Sequence, residues 1–165
     1  MLVVADATPL ISLMKIGRLN LLERLFGQIV IPEAVYSELT TNVAFAAEVC
    51  QIEECSFINR VSVSDNRSVD MLRRVAGLDL GESEAIVYAD VNGANILLID
   101  ESKGRRIAQT MGLKIMGTLG MFLEAFYKGI LTSDEIEADM VRLRKSNRHI
   151  GDDLIQYVRE KISKA

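Results

Sequence analysis

Asp6 and Asp100 each stand directly after a short apolar run, Leu2-Val3-Val4-Ala5 in the first case and the stretch from Ala94 to Ile99 in the second. Short apolar runs of this kind read as buried strands, and open parallel sheets collect their ligands at the carboxyl ends of the strands. Glu38 lies one helical turn beyond a second run, Gln28-Ile29-Val30-Ile31, and Glu82 and Glu84 open a mostly apolar helix in Gly81-Glu82-Ser83-Glu84-Ala85-Ile86. Each acid has a plain reading by itself: Asp favours helix starts, a helix N-terminus stabilises a carboxylate by about 0.3–1 kcal/mol, and Glu38 suits a solvated face. Together, near strand ends and first helical turns, they are expected to converge on one pocket.

Gathered carboxylates repel one another and raise each other's pKa unless a cation compensates. Oxygen-only donors suit Mg²⁺ or Mn²⁺, which polarise a phosphate and lower the pKa of water. The chemistry expected of such a pocket is phosphodiester hydrolysis that needs no Ser, Cys or His nucleophile.

The elements that must position these acids alternate. Thr8 is expected to cap a first helix with Pro9 in its opening turn. A second helix through Leu19, Leu22, Leu25 and Phe26 stops at Gly27, and the strand ending at Ile31 is broken by Pro32 before a helix from Glu33. Val43 to Ile52 reads as helix, Ile58 to Val63 as a short strand, and Val69, Leu72, Val75 and Ala76 as a further helix. The run from Glu82 to Val91 reads as a buried helix, Ala94 to Ile99 as a central strand, and Lys114-Ile115-Met116 as the last strand. Gly117-Thr118-Leu119-Gly120 opens a helix to Lys128 and suits tight strand-to-helix packing, Thr132-x-x-Glu135 is a capping box, and Leu154, Ile155, Val158 and Ile162 stripe the final helix. Strands alternating with helices imply an α/β fold, a three-layer α/β/α sandwich around a mostly parallel sheet.

A length of 165 residues with 49% hydrophobic and 25% charged side chains predicts one folded domain rather than disorder. No run approaches the ~20 apolar residues of a membrane span and the start lacks a basic region before an apolar one, so a cytoplasmic protein is expected. Two cysteines, Cys50 and Cys55, and one histidine, His149, are too few for a structural zinc site, and both thiols read as packing. Lys and Arg number 19 against 23 Asp and Glu, a net charge of −4, which leaves nucleic-acid binding to local patches. Lys103, Arg105 and Arg106 form one such patch after Asp100, where a solvated helix start is the equal alternative for Arg105; Arg142, Arg144, Lys145 and Arg148 form another, which reads as a solvated face before an RNA or partner contact. The nucleotide-binding loop Gly-x-x-x-x-Gly-Lys-[Ser/Thr] and the dinucleotide fingerprint Gly-x-Gly-x-x-Gly do not occur. Asp6-Ala7-Thr8 also lacks the second acid that aspartyl-phosphate chemistry of the haloacid-dehalogenase type requires.

Val4-Ala5-Asp6-Ala7-Thr8-Pro9-Leu10-Ile11, Ile31-Pro32-Glu33-Ala34-Val35-Tyr36-Ser37-Glu38-Leu39, Leu80-Gly81-Glu82-Ser83-Glu84-Ala85-Ile86, Leu98-Ile99-Asp100-Glu101 with Gly104-Arg105, and Gly117-Thr118-Leu119-Gly120 occur in that order. Together they resemble the PIN domain, and more narrowly its branch of small prokaryotic proteins related to VapC toxins. The resemblance implies a single PIN-like domain over residues 1–165, with C-terminal helices from about 132 to 164 packed on it. It implies an endoribonuclease in which Asp6, Glu38, Glu84 and Asp100 hold Mg²⁺ or Mn²⁺, with Thr8, Glu82 and Glu101 as secondary candidates, and RNA as substrate. Glu84 stands where many PIN domains have Asp, one methylene longer. A toxin role with an antitoxin encoded elsewhere and a homodimer also follow from the resemblance; Met14, Met116, Met121, Phe122 and Phe126 serve either that interface or the core. The alternative is a catalytically silent nucleic-acid- or protein-binding module on the same fold.

Overall fold

The structure is a computed structural model that describes residues 1–41, 52–146 and 150–164. Its centre is a sheet of five parallel strands, β1 (Val3–Ala5), β2 (Ile29–Pro32), β3 (Ile58–Val61), β4 (Ile96–Leu98) and β5 (Ile115–Met116), in the order β3-β2-β1-β4-β5. Parallel neighbours cannot be joined by a tight turn, so every connection crosses over through helix. Among the described residues the helices are, in order, α1 (Ala7–Lys15), α2 (Leu21–Phe26), α3 (Glu33–Thr41), α4 (Asn66–Ala76), α5 (Leu80–Val91), α6 (Ser102–Thr110), and, after the last strand, α7 (Thr118–Tyr127), α8 (Ser133–Lys145) and α9 (Asp152–Ser163).

Side chains alternate across a strand, and the two central strands divide accordingly. Val3 and Ala5 of β1 and Leu98 of β4 enter a large core with α1, α2, α3, α7, α8 and α9, while Val4, Leu97 and Ile99 enter a smaller one with α5 and α6. The result is the expected three-layer α/β/α sandwich. Met14, Met121 and Phe122 are buried in the larger core, with Met116 and Phe126 half-buried against it. Cys55 is half-buried against the same core. Ile136, Met140, Leu143, Ile155 and Val158 tie α8 and α9 into it as well.

Three local expectations change. Asp6, not Thr8, is the cap of α1: its carboxylate accepts from Thr8 N–H at 3.5 Å, because the β1–β4 ladder runs on through Asp6 N–H to Leu98 C=O at 2.9 Å and the helix starts immediately afterwards. Helix α5 begins at Leu80 because Asp79 and Glu82 form its capping box. The strand read from Ala94 to Ile99 pairs over Ile96–Leu98 and is interior, but β1 takes the middle of the sheet. The capping box at Thr132 and Glu135 forms as expected, and α2 ends at Gly27 with φ of +77°, a conformation that favours glycine. The helix read over Val43 to Ile52 falls mostly outside the described residues, as do Cys50, Arg148 and His149. No helix among the described residues is long and apolar enough to cross a membrane.

Candidate functional site

Asp6 ends the central strand and its side chain is only 2% exposed. Burial pushes its carboxyl from 3.8 up to about 7; the Ala7 backbone N–H opposes this, and the charges of Glu82, Asp79 and Glu38 add to it. This is the electrostatic condition of a carboxylate among carboxylates.

Glu82 reaches the same pocket from the first turn of α5. Its Oε2 accepts from Asp79 N–H at 3.2 Å, while Asp79 Oδ1 accepts from Glu82 N–H at 2.8 Å. Oε1 is buried and has no hydrogen-bond partner among the described residues. Burial raises its pKa, the Asp79 N–H opposes this, and Asp79 and Glu101 add repulsion that Lys103 partly offsets. A Cβ on Gly104 would lie 2.9 Å from that Oε1 and 2.6 Å from Ile99 Cδ1, so α6 passes this close only because residue 104 has no side chain. Glu38, half-buried in the second turn of α3, lies across from Gly81, where a Cβ would be 3.3 Å from its Oε2.

Glu84 turns elsewhere. Its Oε2 accepts from Ala34 N–H at 3.0 Å and so holds the N-terminus of α3. Residues two apart on a helix face different sides, and the phase of α5 sends Glu82 toward Asp6 and Glu84 toward α3. Asp79 belongs to the acidic group but was missed in the sequence, where Asp79-x-x-Glu82 before an apolar run was the available signal.

Asp100 sits past the end of β4 in a socket of its own. Thr118 donates to it twice, from N–H to Oδ1 at 2.8 Å and from Oγ1 to Oδ2 at 2.6 Å. A Cβ on Gly117 would stand 2.7 Å from Oδ1 and 2.9 Å from Arg105 Nη1, so this glycine admits both groups. Arg105 Nη1 donates to Ile99 C=O at 2.8 Å, Lys103 Nζ donates to Gly77 C=O at 3.1 Å, and Arg106 and Glu101 are exposed. Thr8, Asp100, Glu101, Arg105 and Thr118 border one cavity of about 800 Å³. In the C-terminal basic cluster, Arg142 pairs with Asp139 and Arg144 with Asp152, while Lys145 is exposed.

Among the described residues no group of three or more His, Cys, Asp or Glu side chains is drawn together as an ion cage. The donors nevertheless fit a hard divalent cation: they are carboxylate oxygens, Asp6 and Glu82 form no ion pair among the described residues, and Glu82 Oε1 is left without a partner. No curated protein sequence matches the chain. Residues 2–164 match the family described as the PIN domain, a nuclease-type fold, and the chain belongs to that family.

Proposed function

We propose that this PIN-domain protein is a Mg²⁺- or Mn²⁺-dependent ribonuclease that hydrolyses RNA phosphodiester bonds at the acidic end of the sheet. The observation that supports this most is the burial of Asp6 against Glu82, Asp79 and Glu38. Asp6 and Glu82, with Glu38 and Asp100 beside them, would hold the ion; Glu84, engaged by Ala34, and Glu101, exposed, would act from further out. A divalent cation supplies neutralising charge here, polarises a phosphoryl oxygen and makes water a stronger nucleophile. The chain's own residues orient the substrate. Thr118 fixes the plane of the Asp100 carboxylate, the remaining N–H groups of Arg105 are suited to a phosphate, and Thr8 offers a hydroxyl beside Asp6.

The same reading makes the chain a single cytoplasmic unit that pairs as a homodimer and serves as the toxin of a toxin–antitoxin pair, its antitoxin encoded elsewhere. A second reading, a catalytically silent binding module, is favoured by the lack of three gathered carboxylates among the described residues. Calorimetric titration with Mn²⁺, paired with cleavage of a mixed RNA pool, separates them for the wild type, Asp6→Asn and Asp100→Asn. Loss of both binding and cleavage in the variants is expected. A wild type that binds Mn²⁺ and cuts nothing moves the conclusion to the binding module, and one that binds no Mn²⁺ removes the metal site.

A further inference from the structure

We propose that the cavity beside Asp100 receives one unstacked nucleobase of a single-stranded RNA, seated against Tyr157, with the adjoining phosphate toward Arg105; this inference rests on the ribonuclease reading above. The cavity's volume, about 800 Å³, falls within the ~300–1,000 Å³ typical of small-molecule sites. Its lining divides by chemistry. Thr8, Asp100, Glu101, Arg105 and Thr118 form a polar part, whereas Met116, Leu119 and Leu123 from β5 and α7 form an apolar wall.

Helix α9 adds Leu154 and Tyr157 to the lining. These two large side chains line the cavity yet remain 51% and 49% exposed, so the fold does not cover them. Lys161 Nζ lies 5.3 Å from the centre of the Tyr157 ring and adds positive charge at that edge.

An apolar wall with a half-open aromatic ring, running into a polar region with a guanidinium and hydroxyls, matches a flat apolar base attached to an anionic phosphate. A base in a duplex is already stacked and paired, and proteins that read RNA take splayed bases of single strands onto aromatic rings. Asp100, one of the acids proposed to hold the ion, lines this cavity beside the Arg105 guanidinium, and that juxtaposition is what favours RNA over a peptide. A base held against Tyr157 fixes where the neighbouring phosphate lies relative to Asp100, so the pocket would choose the bond presented to the site.

Short single-stranded RNAs, each with one abasic position moved stepwise along the strand, test this by fluorescence anisotropy in an Asp6→Asn background, where the proposed cleavage is blocked. One abasic position is expected to weaken binding about tenfold. Tyr157→Ala should weaken intact RNA by a similar factor and erase the abasic effect, with Tyr157→Phe restoring it. Both Tyr157 and Leu154 are half-exposed, so their substitution leaves the core intact, as thermal melting would verify. Tyr157→Ala and Leu154→Ala proteins that bind every RNA as the parent does would overturn the proposal. So would Tyr157-dependent binding of a 5′-mononucleotide without binding of RNA, or loss of self-association with RNA affinity unchanged. Wild-type cleavage with Mn²⁺ is scored separately. Cleavage with Tyr157-independent affinity sinks the base pocket alone, and Tyr157-dependent binding without cleavage sinks the nuclease reading alone.

Discussion

Asp6 and Asp139 are both buried carboxylates, 2% and 0% exposed, and their surroundings are opposite. Asp139, on α8, accepts from Arg18 Nε at 2.6 Å and from Arg142 Nη1 at 3.0 Å, and the Arg18 guanidinium also reaches Glu135 at 3.3 Å. Asp6 faces Glu82, Asp79 and Glu38 instead. The first arrangement pins the segment after α1 to α8 with charge answered by charge. In the second no cationic side chain pairs with the carboxylate among the described residues and backbone N–H groups reach it, and groups that break the local rules of burial concentrate where function is.

Removing the answer from Asp139 is the sharpest way to break the comparison. Arg18→Ala leaves a fully buried carboxylate with only the more exposed Arg142, and breaking a buried pair costs about 3–5 kcal/mol. The expected loss, read by urea denaturation, approaches that range, and Asp139→Asn added to Arg18→Ala should recover part of it. If Arg18→Ala is neutral, Asp139 is not held by charge and the contrast fails.

At Asp6 the expectation reverses sign. A carboxyl whose folded pKa is raised from 3.8 to about 7 binds its proton more tightly folded than unfolded, so its contribution is fully present below about pH 4 and is lost as pH rises toward 7. Asp6→Asn keeps a side chain equally able to cap α1. It should therefore gain on the wild type by up to about 4 kcal/mol between about pH 4 and about pH 8. Melting curves across that range check it, and saturating Mn²⁺ should narrow the gap by stabilising the wild type alone.

Space is the next test. Gly117→Ala puts a methyl 2.7 Å from Asp100 Oδ1 and 2.9 Å from Arg105 Nη1, and overpacking of this kind costs about 1–3 kcal/mol. Activity should fall more than stability, since the displaced group is Asp100; equal falls would make Gly117 a matter of packing only.

The smallest effect separates the two neighbouring glutamates. Glu84→Gln weakens a charged contact to the start of α3 and should cost about 1 kcal/mol or less with Mn²⁺ affinity unchanged. Glu82→Gln should reduce Mn²⁺ affinity instead. Calorimetry on both variants decides the pair, and a reversed result would return Glu84 to the metal.

The ends of β1 and β4 were legible in the sequence because an apolar run that stops at an acid carries both the strand and its terminus. The apolar run of α5 was legible as well, but its start at Leu80 was not, because the capping box of Asp79 and Glu82 sets it and Asp79 was not read as a cap. The choice between Glu82 and Glu84 was not, since periodicity finds a helix but its rotation is set by packing against β1 and α3. Asp6 and Thr8 are both capping types, and only the ladder bond from Asp6 to Leu98 decides which one caps. The Arg18–Asp139 pair joins residues 121 apart and depends on how α8 docks, which no local pattern encodes.

The strand order has a consequence for the growing chain. β1 is made first, but one of its two neighbours, β4, pairs Val3 with Ile96, and Asp100 is oriented by Thr118. As the chain leaves the ribosome, its first acid waits with one flank open until most of the sequence has been translated. The long loop between the partners must then close before the site exists. A polypeptide halted anywhere before Thr118 carries Asp6 without the socket that receives Asp100, so the proposed centre would have no means of assembling on such a chain.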